Sequence, residues 1–124
     1  MQSVAVNRGQ AAYHAGLAAE NSVASNYEGR GYALLDRRWR GGGGEIDLIA
    51  RDGEELVFIE VKKSRSFAAA AERLGARQMQ RICLSAQAYL DERGFGQLTN
   101  MRFDVALVDG GGAMRIVENA FGES

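Results

Sequence analysis

Three side chains stand out in this sequence for the chemistry they could do: Asp47, Glu60 and Lys62. Each interrupts an apolar run. Asp47 lies between Ile46 and Leu48 in EIDLIA; Glu60 lies between Ile59 and Val61 in ELVFIEVK, and Lys62 follows. Charges inside strands that otherwise read as buried are costly unless they are paired or bind a metal. Such a conflict between pattern and charge is expected at a functional site. Two carboxylates on neighbouring strands can jointly hold one hard divalent cation, and Mg²⁺ favours one or two carboxylates completed by water and phosphate oxygens. A cation held there lowers the pKa of a bound water and neutralises charge building on a phosphate. A lysine beside it could position that water or stabilise the charged transition state. Aspartate followed by Glu-X-Lys on the next strand is therefore a complete kit for metal-assisted phosphodiester hydrolysis. The same residues also fit a plain Lys62–Glu60 ion pair at a sheet edge, and the pattern alone leaves both readings open.

The elements that must position these residues follow from periodicity. The two apolar arms flank Arg51-Asp52-Gly53-Glu54, which predicts a β-hairpin. A two-residue turn at Asp52-Gly53 sets Asp47 opposite Phe58, with Glu60 on the diagonal; slipping the pairing by two residues sets Asp47 opposite Glu60. Strand alternation puts Asp47, Glu60 and Lys62 on one face in either register, with direct or diagonal neighbours about 5–8 Å apart at Cβ. A helix is expected from about Asn7 to Gly29, where Val6, Gln10, Tyr13, Leu17, Glu20, Val23 or Ala24, and Tyr27 recur at steps of three and four. Glu20 thus falls on the apolar stripe and could supply a further carboxylate. His14 reads as ordinary helix surface, and Glu45 as a strand-end charge.

Tyr32 to Trp39 reads as a strand, joined to the hairpin by the flexible run Gly41 to Gly44. That run lacks a following Lys-Ser/Thr and is no P-loop. A second long helix is expected from Arg77 to Arg93, with Ile82, Ala86, Tyr89 and Leu90 inward. The loop before it could begin helix early through its alanines. Met101 to Val108 reads as a central strand and Ala113 to Val117 as a short partner, with Phe121 anchoring the tail. The order α-β-β-β-α-β-β predicts an α/β protein: a three-layer α/β/α sandwich around a central mixed sheet.

Length and composition bound the rest. A chain of 124 residues with 46% hydrophobic and 25% charged residues fits one domain over 1–124, with 1–5 and 122–124 expected to be flexible. No apolar run approaches the roughly 18 residues of a membrane span, and MQSVAVNRGQ holds no secretory h-region. The lone Cys83 excludes an internal disulfide and fits a reducing cytoplasm. The net charge is −1, yet residues 62–81 carry six bases against one acid and residues 30–40 four against one. If the two segments share a face they form a basic patch for phosphate contact, for which Arg38, Arg40, Lys63, Arg65, Arg77 and Arg81 are the candidates. Solvated surface is the alternative. Trp39 among its arginines could contact a base or pack in the core.

The motifs GGEIDLIA, FIEVK, RFDV and the terminal NAF together resemble the bacterial YraN-like family, within the PD-(D/E)XK nuclease superfamily that includes Holliday-junction resolvases. The resemblance runs from about Gly16 to Phe121. It implies a restriction-endonuclease-like fold, Asp47 and Glu60 as ligands of Mg²⁺ or Mn²⁺, Lys62 as the catalytic lysine, and Glu20 as an acid supporting the metal. It also implies DNA as the partner, branched or structured DNA included; a homodimer would suit a two-strand cutter. Three positions depart from the family pattern. Ala19 precedes Glu20 where a glycine is expected, Ser64 follows EVK where arginine is common, and Gln78 stands where lysine is common. The last two changes would weaken phosphate contact and keep open a nucleic-acid-binding module without turnover, or a subunit acting with a protein partner.

Overall fold

The computed structural model describes residues 4–72, 75–96 and 98–120, with side chains over 16–69, 75–96 and 98–120. The expectations for the side chain of His14 and for Phe121 lie outside these residues. The elements are α1 (Val4–Gly29), β1 (Ala33–Gly41), β2 (Gly44–Asp52), β3 (Glu55–Lys63), α2 (Phe67–Glu72), α3 (Ala76–Arg93), β4 (Met101–Val108) and β5 (Met114–Val117). The five strands form one mixed sheet in the order β1-β2-β3-β4-β5, in which β3 and β4 run parallel and the other neighbours antiparallel.

Strand alternation sorts the core into two sets. Leu48, Ala50, Val57, Ile59, Ala106 and Val108 pack with Ala19, Val23, Ala24 and Tyr27 of α1. Ile49, Leu56 and Phe58 pack with Ala86, Tyr89 and Leu90 of α3. The α3 stripe predicted from sequence is buried as expected, with Ser85 added. Trp39 belongs to this second core: it meets Tyr89 edge-on at 5.2 Å, and its indole N–H donates to Glu92 at 3.1 Å.

The hairpin takes the second of the two registers. Asp52 pairs with Glu55, leaving Gly53 and Glu54 as the loop, and the ladder runs to Leu48 opposite Ile59. The left-handed backbone falls on Gly53, with φ 61°. A glycine at the first loop position suits the hairpin turn whose twist matches the flanking strands. Gly41 to Gly44 form a tight turn with Gly41 paired to Gly44, rather than a loose connector. Gly42, at φ 64°, lies so close to α3 that a Cβ there would come within 2.6 Å of the Leu84 carbonyl oxygen. Ser85 donates its hydroxyl to the Gly41 carbonyl at 2.7 Å, which explains why this serine is buried.

A buried polar network closes the end of the sheet next to α1. Asp104, 1% exposed, accepts hydrogen bonds from the Tyr27 hydroxyl (2.6 Å), Arg102 Nε (3.0 Å) and the backbone N–H of Asn119 (3.0 Å). Arg102 also donates to Glu55 and to the Tyr32 hydroxyl. Burial and the bond to Asp104 push the Tyr27 phenol far above its ordinary pKa, so it stays a donor. Among the described residues no helix is long and apolar enough to cross a membrane.

Candidate active site

The site forms where β2 and β3 part. Their ladder ends at Leu48 opposite Ile59, so continuing the register puts Asp47 in line with Glu60. Asp47 Oδ2 spans the opening gap and accepts the backbone N–H of Val61 at 2.7 Å. A side chain thus does what a strand carbonyl would do in a continued ladder, and the donor is satisfied.

Strict alternation breaks down at this rung. Ile46 and Ile49 both belong to the α3-side core, while Leu48 belongs to the α1-side core. The slip falls at Asp47. In β1 the residue opposite, between the Arg37–Leu48 and Trp39–Ile46 pairs, is Arg38, whose φ is 50°. The expectation that period two alone sets Asp47 on the face of Glu60 and Lys62 is therefore replaced by a local distortion, which turns the Asp47 carboxylate toward β3.

Glu60 is 6% exposed, and its Oε2 has no hydrogen-bond partner. Its other oxygen lies 3.6 Å from the Lys62 ammonium. Burial and the adjacent, charged Asp47 carboxyl push the Glu60 pKa up to about 8, against weaker pulls from Lys62 and the Gln78 side chain of α3. Folding and proton binding are linked through this shift. The folded pKa lies above the ordinary 4.5, so between those values the folded chain holds a proton the unfolded chain has released. Stability contributed by the protonated form is complete below the unfolded value and is lost as pH rises through the folded one. Glu60→Gln, which mimics the protonated acid, should therefore melt higher than wild type at about pH 9 in chelator, by about 5 °C, and match it near pH 5. Melting curves at the two pH values check this; an equal difference at both would show that the substitution acts through packing instead.

A cavity of about 290 Å³ opens beside this rung, with Ala19, Glu20, Arg38, Asp47, Lys62 and Lys63 in its wall. Glu20 thus reaches the same hollow as Asp47, but its carboxylate is engaged by Arg38 Nε at 3.2 Å. Among the described residues, no three histidine, cysteine, aspartate or glutamate side chains gather closely enough to hold a metal. Asp47 and Glu60 are the adjacent acids, and Glu20 stands across the cavity in an ion pair.

Of the candidate phosphate contacts, Arg38 and Lys63 line the cavity. Arg40 borders a neighbouring hollow along the glycine turn and pairs at 2.9 Å with Glu45, read from the sequence as a strand-end charge, which also stands in the wall of the cavity beside Asp47. Arg65, Arg77 and Arg81 are exposed, and the described contacts do not bring them to the cavity wall. Sequence reasoning missed Gln78 as a neighbour of Glu60, and it missed the Arg38–Glu20 pair. The only signal for the pair was an arginine in a strand ahead of the hairpin, too common a pattern to single out.

The sequence model of the uncharacterised protein family UPF0102 matches residues 19–108, a span that holds Glu20, the hairpin, α3 and β4. The chain belongs to the UPF0102 family. A UPF0102 protein of Ruegeria pomeroyi is 65% identical over 116 residues, covering 94% of each chain. Another from Cereibacter sphaeroides is 58% identical over 113 residues, covering 91% of this chain and 97% of its own. A third, from Roseobacter denitrificans, is 51% identical over 118 residues, covering 95% of this chain and 92% of its own. The YraN-like resemblance read from the motifs is borne out at the level of this family.

Proposed function

We propose that this UPF0102 protein is a metal-dependent nuclease that hydrolyses phosphodiester bonds in DNA, branched or otherwise structured DNA among its substrates. On this reading its sheet and helices form a three-layer α/β/α sandwich of the restriction-endonuclease-like kind. The observation that carries the proposal is the orphaned Glu60 Oε2, buried beside the Asp47 carboxylate. An unpartnered buried carboxylate oxygen next to a second acid is costly unless something positive is shared between them. Hard oxygen donors in that arrangement suit Mg²⁺ or Mn²⁺, which need only one or two carboxylates from the protein.

Asp47 and Glu60 would hold the cation, and Glu20 would support it from across the cavity. When bound, such a cation supplies a more acidic water and charge neutralisation at the phosphate. Lys62 holds its ammonium beside Glu60, where it favours the ionised carboxylate and can balance charge growing on the scissile phosphate. Arg38 and Lys63 line the cavity where they can take the flanking phosphates; Arg40, Arg65, Arg77 and Arg81 would extend the track over the surface.

Isothermal titration with Mn²⁺ tests the foundation. Wild type should bind, and Glu60→Ala should lose at least about tenfold in affinity, roughly the worth of one ligand-level interaction. Equal binding by the two would remove Glu60 from the site. The Arg38–Glu20 ion pair, which holds one acid away from the other two, favours a second reading: a nucleic-acid-binding module without turnover. That reading expects salt-dependent DNA binding that survives loss of Asp47, with no cleavage above background.

A further inference from the structure

Arg37 and Arg38 are consecutive in β1, yet both reach α1. Arg37 Nη1 donates to Asn21 Oδ1 at 2.6 Å, and Arg38 Nε donates to Glu20 Oε2 at 3.2 Å. Consecutive side chains of a regular strand point to opposite faces. Here the left-handed backbone of Arg38, φ 50°, brings the second arginine round to the side of the first. A residue with a Cβ rarely holds this conformation, and strain of this kind persists only where surrounding contacts impose it. The pair with Glu20 is one contact that holds Arg38 in this conformation.

The two partners are unequally placed. The Glu20 side chain is 7% exposed and that of Arg38 41% exposed. The acid is fixed in the cavity wall, while the guanidinium stands toward solvent, on the rung of Asp47. An incoming phosphodiester is an anion that competes with Glu20 for the guanidinium. A divalent cation competes with Arg38 for Glu20.

We propose that Arg38 is an exchangeable counter-charge: it neutralises Glu20 in the free protein and transfers to a substrate phosphate, releasing Glu20 to the cation. This rests on the metal-dependent nuclease reading of the site. Because each ligand removes the other's competitor, phosphodiester and cation each strengthen the other's binding by the same factor. Arg38 is then a positioning residue that withholds Glu20 until a phosphate is present. A guanidinium suits this role, since it can pass from a carboxylate to a phosphate with its hydrogen bond to Glu20 replaced rather than lost.

The test uses the full chain, Mn²⁺ titrated by calorimetry, and a short branched DNA followed by anisotropy with and without Ca²⁺. In wild type, the divalent ion should tighten DNA binding about tenfold. Arg38→Asn keeps a side chain tolerant of positive φ. It should raise Mn²⁺ affinity of the DNA-free protein about threefold to tenfold, weaken DNA binding, and reduce the coupling factor toward one. Arg38→Lys, which keeps the charge, should retain part of the coupling. A structural role alone would leave Mn²⁺ affinity unchanged or lower it. That result, with the melting temperature preserved, overturns the exchange and leaves the metal site standing. Absence of Mn²⁺ binding in both wild type and Arg38→Asn overturns the nuclease reading and the exchange with it. Should Arg38→Asn fail to fold, Glu20→Gln serves: freed from its acid, Arg38 should bind DNA more tightly without divalent ions, and unchanged or weaker binding overturns the proposal.

Discussion

Lys62→Met should lower DNA cleavage by about 10²–10³ at saturating Mn²⁺, the usual cost of removing one charge-stabilising donor. Asp47→Asn should lower it by at least about 10³, because it weakens ion binding as well as chemistry. The two variants differ in how they respond to pH. Lys62 helps keep Glu60 ionised from 3.6 Å away, against burial and the Asp47 charge that raise its pKa to about 8. Removing the ammonium makes the carboxylate harder to ionise, so ion affinity in Lys62→Met should fall at neutral pH and recover as pH rises past the shifted value. The acidic limb of the rate profile should move upward with it. In Asp47→Asn the neighbouring charge is gone, so Glu60 should ionise more readily and the limb should move downward, at a rate that stays low throughout. Initial-rate profiles on branched and linear DNA, with Mn²⁺ titrated at each pH, separate these outcomes. Equal residual cutting by wild type and both variants would identify a contaminating nuclease and end the catalytic claim.

The strands were legible because their apolar runs are long and bounded by glycine, and the α3 stripe because Ile82, Ala86, Tyr89 and Leu90 keep helical spacing. Register was half legible. Gly53 can occupy either position of a two-residue loop, and both turns match the strand twist, so two pairings stayed open; the structure takes the one with Gly53 first. Asp47, Glu60 and Lys62 announced themselves as charge in apolar company, and the structure sets Asp47 in line with Glu60, with the Lys62 ammonium 3.6 Å from Glu60. The means differed from the expectation. Alternation is a property of an unbroken strand, whereas Asp47 sits where alternation slips and hydrogen-bonds the neighbouring backbone. Nothing local in EIDLIA encodes that slip, because it depends on the partner strand and on the backbone of Arg38. The glycine run failed as a predictor of looseness for a similar reason. Small residues permit either a flexible link or a close approach, and only the α3 backbone beside Gly42 shows that close approach is its use. Asp104, read from sequence as part of an alternating strand and of the RFDV motif, accepts more hydrogen bonds than any other buried acid among the described residues.

Asp104→Ala should destabilise the fold by about 3–5 kcal/mol, the typical cost of breaking a buried charge pair from one side. Asp104 is 1% exposed and accepts from Tyr27, from two nitrogens of Arg102 and from the Asn119 N–H. Truncation strands each of those donors. Arg102 keeps Glu55 at 2.8 Å, the Tyr32 hydroxyl and, at 4.0 Å, Glu118, but it loses its one fully buried carboxylate partner while its own side chain is 14% exposed. Tyr27 is fully buried and has no water to turn to. Against a total stability of about 5–15 kcal/mol the loss is a large fraction. Urea unfolding should show a midpoint displaced downward with its slope unchanged. Asp104→Asn, which keeps the shape and one acceptor, should lose less; Tyr27→Phe should lose about 1.5–3 kcal/mol, the worth of one hydrogen bond to a charged group. A loss below about 1 kcal/mol in Asp104→Ala would mean that the donors find other partners on relaxation. The network also bears on the site. Tyr27 and Glu20 are seven residues apart, two turns of α1, so they lie on one stripe of the helix. Anchoring Tyr27 to β4 therefore fixes how far α1 has slid along the sheet, and with it where Glu20 meets Arg38. Tyr27→Phe keeps the ring and its packing but releases that anchor. Its effect on Mn²⁺ affinity, measured well below its melting temperature, should thus exceed that of an equally destabilising substitution in the α3-side core, such as Leu90→Ala.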